Sequence, residues 1–326
     1  MLPIAVDAMG GDNAPGAIVE GARRAADELG IPIVLVGRPD ETDPLRGDLD
    51  LLAASEVIGM DADAGASVRR MKDSSLVRAA EAVRDGRASA MVSAGNTGAT
   101  MASALLRMGR IKGVARPAIA TPIPVVGSTP TVLLDAGANA ECQAAWLVQF
   151  AQMGAVFARH RYGIAEPRVG LLSIGEESTK GNDLVKETHA LLAEPGALAG
   201  SGARFVGNVE GRDIMTPDVD VIVTDGFTGN VTLKTLEGGM KALVRAVLET
   251  LGASDVGDRA VEALLPLYAE LDPDSTGGAM LLGVDGVCII SHGSSSATAV
   301  VNAARVAREM VEGEVVERLR EAIAAG

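Results

Sequence analysis

Aromatic residues are nearly missing: Phe, Trp and Tyr together supply 2% of the 326 residues. With hydrophobic content at 48%, the interior is filled by Ala, Val and Leu, and 39 glycines mark many tight turns. That composition suits helices packed closely on a parallel sheet. Basic residues are short as well: 29 Lys and Arg against 43 Asp and Glu leave a net charge of −14. Nucleic-acid binders carry a basic footprint, so this balance argues against that class. Two cysteines, Cys142 and Cys288, make no disulfide framework and fit a reducing cytoplasm. Both stand in apolar settings without a local histidine and read as core. The three histidines, His160, His189 and His292, are isolated, and C-x-x-C is absent, so no metal is expected. Neither G-x-G-x-x-G nor a Walker loop occurs, which disfavours a nucleotide or dinucleotide cofactor, and there is no G-x-S-x-G elbow. The most apolar long run, Ala144 to Ala158, contains Gln149 and Gln152. It is shorter than the roughly 20 residues of a spanning helix and reads as a buried helix, a candidate for a subunit interface. No secretory signal is visible, because a strand starts at Ile4 and Asp7 interrupts any apolar core.

Strand-like and helical patterns alternate throughout, and no Pro/Ser-rich linker divides the chain. The expectation is one α/β/α catalytic unit over 1–326, three layers on a mainly parallel sheet. Strands are predicted near 3–7, 31–37, 56–58, 88–93, 131–134, 169–174, 204–206, 219–223 and 286–290, with 38–50 a polar loop. A helical excursion at about 231–276 is expected at a dimer interface or a membrane-facing edge.

The chain is organised around Val169-Gly-Leu-Leu-Ser-Ile-Gly-Glu-Glu-Ser-Thr-Lys-Gly-Asn-Asp183. A buried strand stops at Gly175, and carboxylates, hydroxyls and Lys180 crowd in before a helix begins. Open α/β sheets place ligands at such strand ends. The same form recurs at Ala8–Gly16, Ala94–Ala99, Asp135–Asn139, Thr224–Asn230 and Ser291–Ser296. Each loop joins Gly to Asn, Asp, Ser or Thr at a helix start. Helix N-termini offer free N–H groups and a positive dipole end. Taken singly these are good turn and cap residues; converging on one crevice, they would form an anion cradle. Lys180 reads equally as a charge for an anionic substrate or as an exposed lysine at a helix start. His292 reads as a general acid or as a hydrogen-bonded structural histidine. A site of this kind binds and orients an anion rather than forming a covalent enzyme intermediate.

The motifs Ile4-Ala-Val-Asp-Ala-Met-Gly-Gly-Asp-Asn-Ala-Pro15, Ser93-Ala-Gly-Asn-Thr-Gly-Ala99, Leu134-Asp-Ala-Gly-Ala-Asn139, Ile174-Gly-Glu-Glu-Ser-Thr-Lys-Gly181, Phe205-Val-Gly-Asn-Val-Glu-Gly211, Thr224-Asp-Gly-Phe-Thr-Gly-Asn-Val231 and Ser291-His-Gly-Ser-Ser295 resemble the signatures of the bacterial phosphate acyltransferase (PlsX) family, in the same order. The resemblance implies an isocitrate/isopropylmalate-dehydrogenase-like fold and a cytoplasmic homodimer without cofactor. It also implies a reaction: acyl-acyl-carrier-protein plus orthophosphate gives acyl phosphate and free carrier protein. The product would feed a membrane glycerol-3-phosphate acyltransferase in phospholipid synthesis.

By the same resemblance Lys180 is the charge near phosphate or oxyanion, and Asn230 a hydrogen-bonding partner at the reacting centre. Asp7, Gly10, Gly11, Asp12, Asn96, Thr97, Gly98, Asn139, Glu176 and His292 are candidate phosphate- or substrate-binding residues. The acidic carrier protein calls for a local basic surface, and Arg69, Arg70, Lys72, Arg107, Arg110 and Lys112 are the candidates. In one respect the chain departs from many relatives, whose segment before the last Gly-Gly element is basic and touches the membrane. From Ser254 to Asp274, Arg259 is the lone cation beside Asp255, Asp258, Glu262, Glu270, Asp272 and Asp274. Anionic lipid repels such a segment, so any membrane contact would be peripheral. Two other readings stay open: a short-chain phosphotransacetylase using coenzyme A, and a non-catalytic scaffold of phospholipid synthesis.

Overall fold

A computed structural model describes residues 1–252, 257–271 and 275–325. Eleven strands occur in the described residues: β1 Ile4–Asp7, β2 Ile33–Gly37, β3 Asp50–Ala53, β4 Ala90–Ser93, β5 Ala118–Ile123, β6 Thr131–Leu134, β7 Arg168–Leu172, β8 Arg204–Val209, β9 Val221–Val223, β10 Ala279–Leu282 and β11 Val287–Ile290. The α-helices are α1 Gly16–Leu29, α2 Pro39–Thr42, α3 Ala64–Arg70, α4 Ser75–Arg84, α5 Thr97–Arg107, α6 Ala144–Tyr162, α7 Asp183–Leu192, α8 Gly226–Gly252, α9 Gly257–Leu271, α10 Ala297–Glu312 and α11 Val315–Ala325.

All strands join one sheet, ordered β3-β2-β1-β4-β11-β10-β5-β6-β9-β7-β8. Side chains alternate across a strand, and both faces are covered. Ile4 and Val6 of β1 pack into one core with α1 and α10, while Ala5 packs into a second with α4 and α5. In the other half, Val132, Leu134, Val221 and Val223 lie under α6, and Leu133 and Ile222 form a third cluster with Ile214. The run predicted as a buried helix is α6, closed by left-handed Gly163 and buried within the chain between the sheet, α7 and α11.

Strand direction positions the site. β1 to β4 and β11 run parallel; β6, β7, β8 and β9 also run parallel to one another. Between them, β10 is antiparallel to both β11 and β5, and β5 is antiparallel to β6. The two parallel halves therefore point in opposite directions. Register sets where they meet: β10 pairs with Ala118 to Ala120, while β6 pairs with Thr121 to Ile123. The carboxyl ends of both halves thus come together at the middle of β5.

Three strand assignments change. The third strand is Asp50–Ala53, beginning on the last residue of the expected polar loop and running into a stretch given no element, whereas Glu56 makes only an isolated bridge to Ser74. β5 and β10 are additional. Pro117, Pro122 and Pro124 mask β5; Pro122 fits because β10 no longer pairs at that level. β10 hides behind Gly277 and Gly278, both with positive φ. The helical excursion begins earlier than 231, at Gly226, as the 27-residue α8, which packs on α9.

Candidate active site

Three loops of the first half are stitched together. Asp7, at the end of β1 and 1% exposed, accepts hydrogen bonds from the Ser93 hydroxyl at 2.7 Å and the Met9 N–H at 3.2 Å. Burial pushes its carboxyl above the ordinary carboxylate range, against bonds from Ser75, Ser93 and Met9 that pull it down. A Cβ at Gly10 would lie 2.5 Å from the Asp7 carboxylate and 2.7 Å from the Gly95 nitrogen, so only glycine fits there. The Asp12 N–H bonds the Gly293 carbonyl at 2.8 Å, and the Asn13 amide reaches the Ser294 and Ser295 carbonyls at 3.2 Å. Asn96 caps α5 by accepting from the Ala99 N–H at 2.9 Å, and its amide donates to the Met60 and Ala62 carbonyls.

The second half is organised by Asp135, which is fully buried at the end of β6. Its carboxylate accepts from the N–H groups of Ile119, Gly137, Ala138 and Asn139 and from the Asn139 amide, at 2.8–3.1 Å. Burial pushes this carboxyl up, and those donors oppose the shift. Every partner is a donor, so the loop is built around the anion. Asn139 also donates to the Pro117 carbonyl at 2.8 Å, tying the β6 loop to β5. The start of α8 sits directly on this loop: a Cβ on Gly229 would fall 1.9 Å from the Asp135 carbonyl oxygen. Asp225 caps α8 through the Thr228 N–H at 2.8 Å.

Between the halves lies a cavity of about 390 Å³. Asp12, Thr97, Asn230, Lys234, His292 and Ser295 line its polar end, and Ile123, Pro124, Leu233, Leu236 and Met240 form an apolar wall. The starts of α5 and α10 border the polar end at Thr97 and Ser295, two positive helix ends on one space, while α8 enters the lining from Asn230, in its second turn.

The expected site residues divide into three groups. Asp12, Thr97, Asn230 and His292 line the cavity. Asp7, Gly10, Gly11, Asn96, Gly98 and Asn139 shape the loops behind it; Gly11, at φ +104, packs against the Gly293 carbonyl, and Gly98 against Ala64. Lys180 and Glu176 stand on the β7–α7 loop, exposed and outside the cavity lining, with Glu176 pairing Arg212 at 3.2 Å. That loop is held by the Asn208 amide on the Glu177 carbonyl at 2.9 Å. Arg69 and Arg70 close α3 and Arg107 closes α5; α3 packs on α5, so these clusters share one side of the fold. Lys72, Arg110 and Lys112 are exposed, Arg110 bonding the Ala115 carbonyl and Arg107 lying 3.7 Å from Glu81. In the acidic stretch, Asp255, Asp272, Asp274 and the Asp258 side chain lie outside the described residues.

Sequence reasoning missed Lys234 and Glu237. The signal was present: four residues separate Asn230 from Lys234, which puts both on one helix face. The Lys234 ammonium lies 2.9 Å from Glu237 and 3.3 Å from His292 Nε2. On its other side the His292 ring meets Ser294, whose hydroxyl lies 2.8 Å from Nδ1 and whose N–H donates to Nδ1 at 3.3 Å. Neither cysteine lines the cavity. Burial pushes the Cys142 thiol up to about 11 and Cys288 to about 12, so both stay thiols at neutral pH. Among the described residues, no group of three or more His, Cys, Asp or Glu could hold a metal, and no helix is long and apolar enough to cross a membrane.

This α/β fold is shared by solved phosphotransacylases and by a 4-hydroxythreonine-4-phosphate dehydrogenase. A phosphotransacetylase from Streptococcus pyogenes superposes with a TM-score of 0.62 at 18% identity, covering 97% of this chain and 94% of its own. The 4-hydroxythreonine-4-phosphate dehydrogenase of Klebsiella pneumoniae gives 0.54 at 11% identity, over 95% of this chain and all of its own. In sequence, residues 2–318 match the family described as "Fatty acid synthesis protein". The phosphate acyltransferase of Heliobacterium modesticaldum is 49% identical over 99% of this chain and 98% of its own length. That of Elusimicrobium minutum is 48% identical over 99% and 96%. The chain belongs to the phosphate acyltransferase (PlsX) family and is an acyltransferase.

Proposed function

We propose that the chain moves a fatty acyl group from acyl-acyl-carrier-protein to orthophosphate. A phosphate oxygen attacks the thioester carbonyl, the C–S bond breaks, and the carrier thiol leaves with the phosphate proton, giving acyl phosphate. Phosphate is already a nucleophile, so the protein must align it and stabilise the oxyanion that forms. The observation that carries this reading is the cleft itself: two helix starts and the Asn230 and Lys234 side chains at a polar end, beside an apolar wall suited to an acyl chain. Ser294, the hydroxyl next to the His292 ring, does not line the cavity, and Ser295, which does, gives its hydroxyl proton to the His292 carbonyl rather than to a ring nitrogen. Asn230 lines the cleft as a hydrogen-bonding partner for the reacting centre, and Lys180 would act from the neighbouring β7–α7 loop.

The cations that close α3 and α5, with Lys72, Arg110 and Lys112, would receive the acidic carrier protein; α5 opens onto the cleft at Thr97. Raising salt should then weaken the apparent affinity for the carrier; an affinity indifferent to salt removes that docking surface. The exposed apolar residues Leu243, Val247 and Leu248 of α8 and Leu265, Leu267 and Tyr268 of α9 would pair two copies as a homodimer. The reaction is tested by incubating long-chain acyl-carrier protein with orthophosphate and trapping product with hydroxylamine, with short-chain acyl-coenzyme A in parallel. Phosphate-dependent acyl hydroxamate from the carrier-protein substrate is expected. Product from coenzyme A thioesters alone would move the donor assignment to coenzyme A.

A further inference from the structure

Within the cavity lining, one cationic side chain stands at the polar end: Lys234. Lys180 lies on a loop outside that lining. An ammonium has three donors, and two of them are engaged, by Glu237 at 2.9 Å and by His292 Nε2 at 3.3 Å. The Lys234 side chain is 50% exposed and Glu237 only 16%, so the carboxylate is pinned while the ammonium is open to the cleft. His292 is fixed in turn at Nδ1 by the hydroxyl and the N–H of Ser294. Asn230, one helical turn earlier, lies on the same face of α8.

We propose that Lys234 is the cleft residue that binds the orthophosphate, with His292 as its positioning residue. This rests on the reading of the cleft as a phosphate-utilising site. Two carboxylates, Asp12 and Glu237, also line the space. They outnumber the one ammonium, so no net positive charge draws the anion, and phosphate is held by directed N–H bonds from Lys234 and the starts of α5 and α10. Glu237 and His292 hold the ammonium in place before the anion arrives, which lowers the ordering cost of binding.

The test is orthophosphate binding to the full chain by calorimetry, alongside steady-state kinetics, for wild type, Lys234→Met, Lys234→Gln and Lys234→Arg. The neutral variants should bind phosphate roughly 10- to 100-fold more weakly, as expected for loss of a hydrogen bond to a charged group. Their KM for phosphate should rise in step while KM for the acyl donor stays at the wild-type value, and Lys234→Arg should recover part of the loss. Thermal unfolding confirms that the variants are folded, and two neutral replacements guard against one that is not. Wild-type phosphate affinity in either folded neutral variant overturns the assignment, as does a wild type that binds no phosphate. A wild type that binds phosphate through Lys234 yet makes no acyl phosphate would sink the proposed reaction and leave Lys234 as an anion site.

Discussion

At the scale of single residues, buried carboxylates serve the backbone. Asp135 is surrounded by N–H donors from β5 and its own loop on both oxygens; an amide keeps one oxygen, and the donors on the other then face an NH2 group. Asp135→Asn should therefore destabilise the fold by about 1–3 kcal/mol, the cost of leaving a buried donor unpaired. Urea unfolding monitored by far-UV circular dichroism reads this directly, and an unchanged midpoint would show that the loop repacks without the anion. Asp7, a candidate phosphate- or substrate-binding residue, has the same character: its carboxylate accepts from Ser93 and Met9, outside the cavity lining. Sequence alone separates the two roles poorly, because an acidic residue at a strand end looks the same whether it faces ligand or main chain. Lys234 was hidden for a different reason. It stands two turns into α8, and attention to loop residues passes over it.

At the scale of elements, two contacts test how the second half is assembled. Arg168, opening β7, binds Asp220, just ahead of β9, through its N–H at 2.7 Å and two guanidinium bonds at 2.9 Å. Burial pushes the Asp220 carboxyl up, but the Arg168 bonds win and hold it below its ordinary value. A depressed folded-state value means stability that is present above the unfolded value, about 3.9, and lost as pH falls through the folded one. The urea midpoint of Asp220→Asn should thus trail wild type at neutral pH and converge on it in acid; a constant gap would contradict the ion-pair account. The second contact is α8 on the β6 loop. With no room for a Cβ at Gly229, Gly229→Ala must displace the helix carrying Asn230 and Lys234. It should cost more than about 3 kcal/mol and abolish turnover, measured by unfolding and by the hydroxamate assay; wild-type activity would mean that α8 moves without consequence for the cleft. Legibility at this scale was uneven. Strands covered on both faces, such as β1, β4 and β6, announce themselves as apolar runs. β5 and β10 do not, because proline and glycine flank them and long-range pairing decides their fate.

For the whole molecule, those two obscure strands matter most. By running antiparallel they turn one half of the sheet against the other, so that strand-end loops far apart in the chain open onto one cleft. The sequence indicated that the loops suit an anion; only the topology gathers Asp12, Thr97, Asn230 and His292 and leaves Lys180 on a neighbouring loop. The exposed apolar faces of α8 and α9 belong to this scale too. Leu243→Glu combined with Leu265→Glu should shift the chain toward monomer in light scattering, and a mass unchanged from wild type would place the dimer contact elsewhere. The central claim is that the cleft orients phosphate for direct attack and forms no acyl-enzyme. Intact-mass spectrometry of the protein mixed with acyl-carrier protein, first without and then with orthophosphate, tests it most directly. The account predicts an unmodified chain in both samples and acyl phosphate only when phosphate is added. A chain carrying the mass of the acyl group before phosphate arrives, and losing it afterwards, would contradict it.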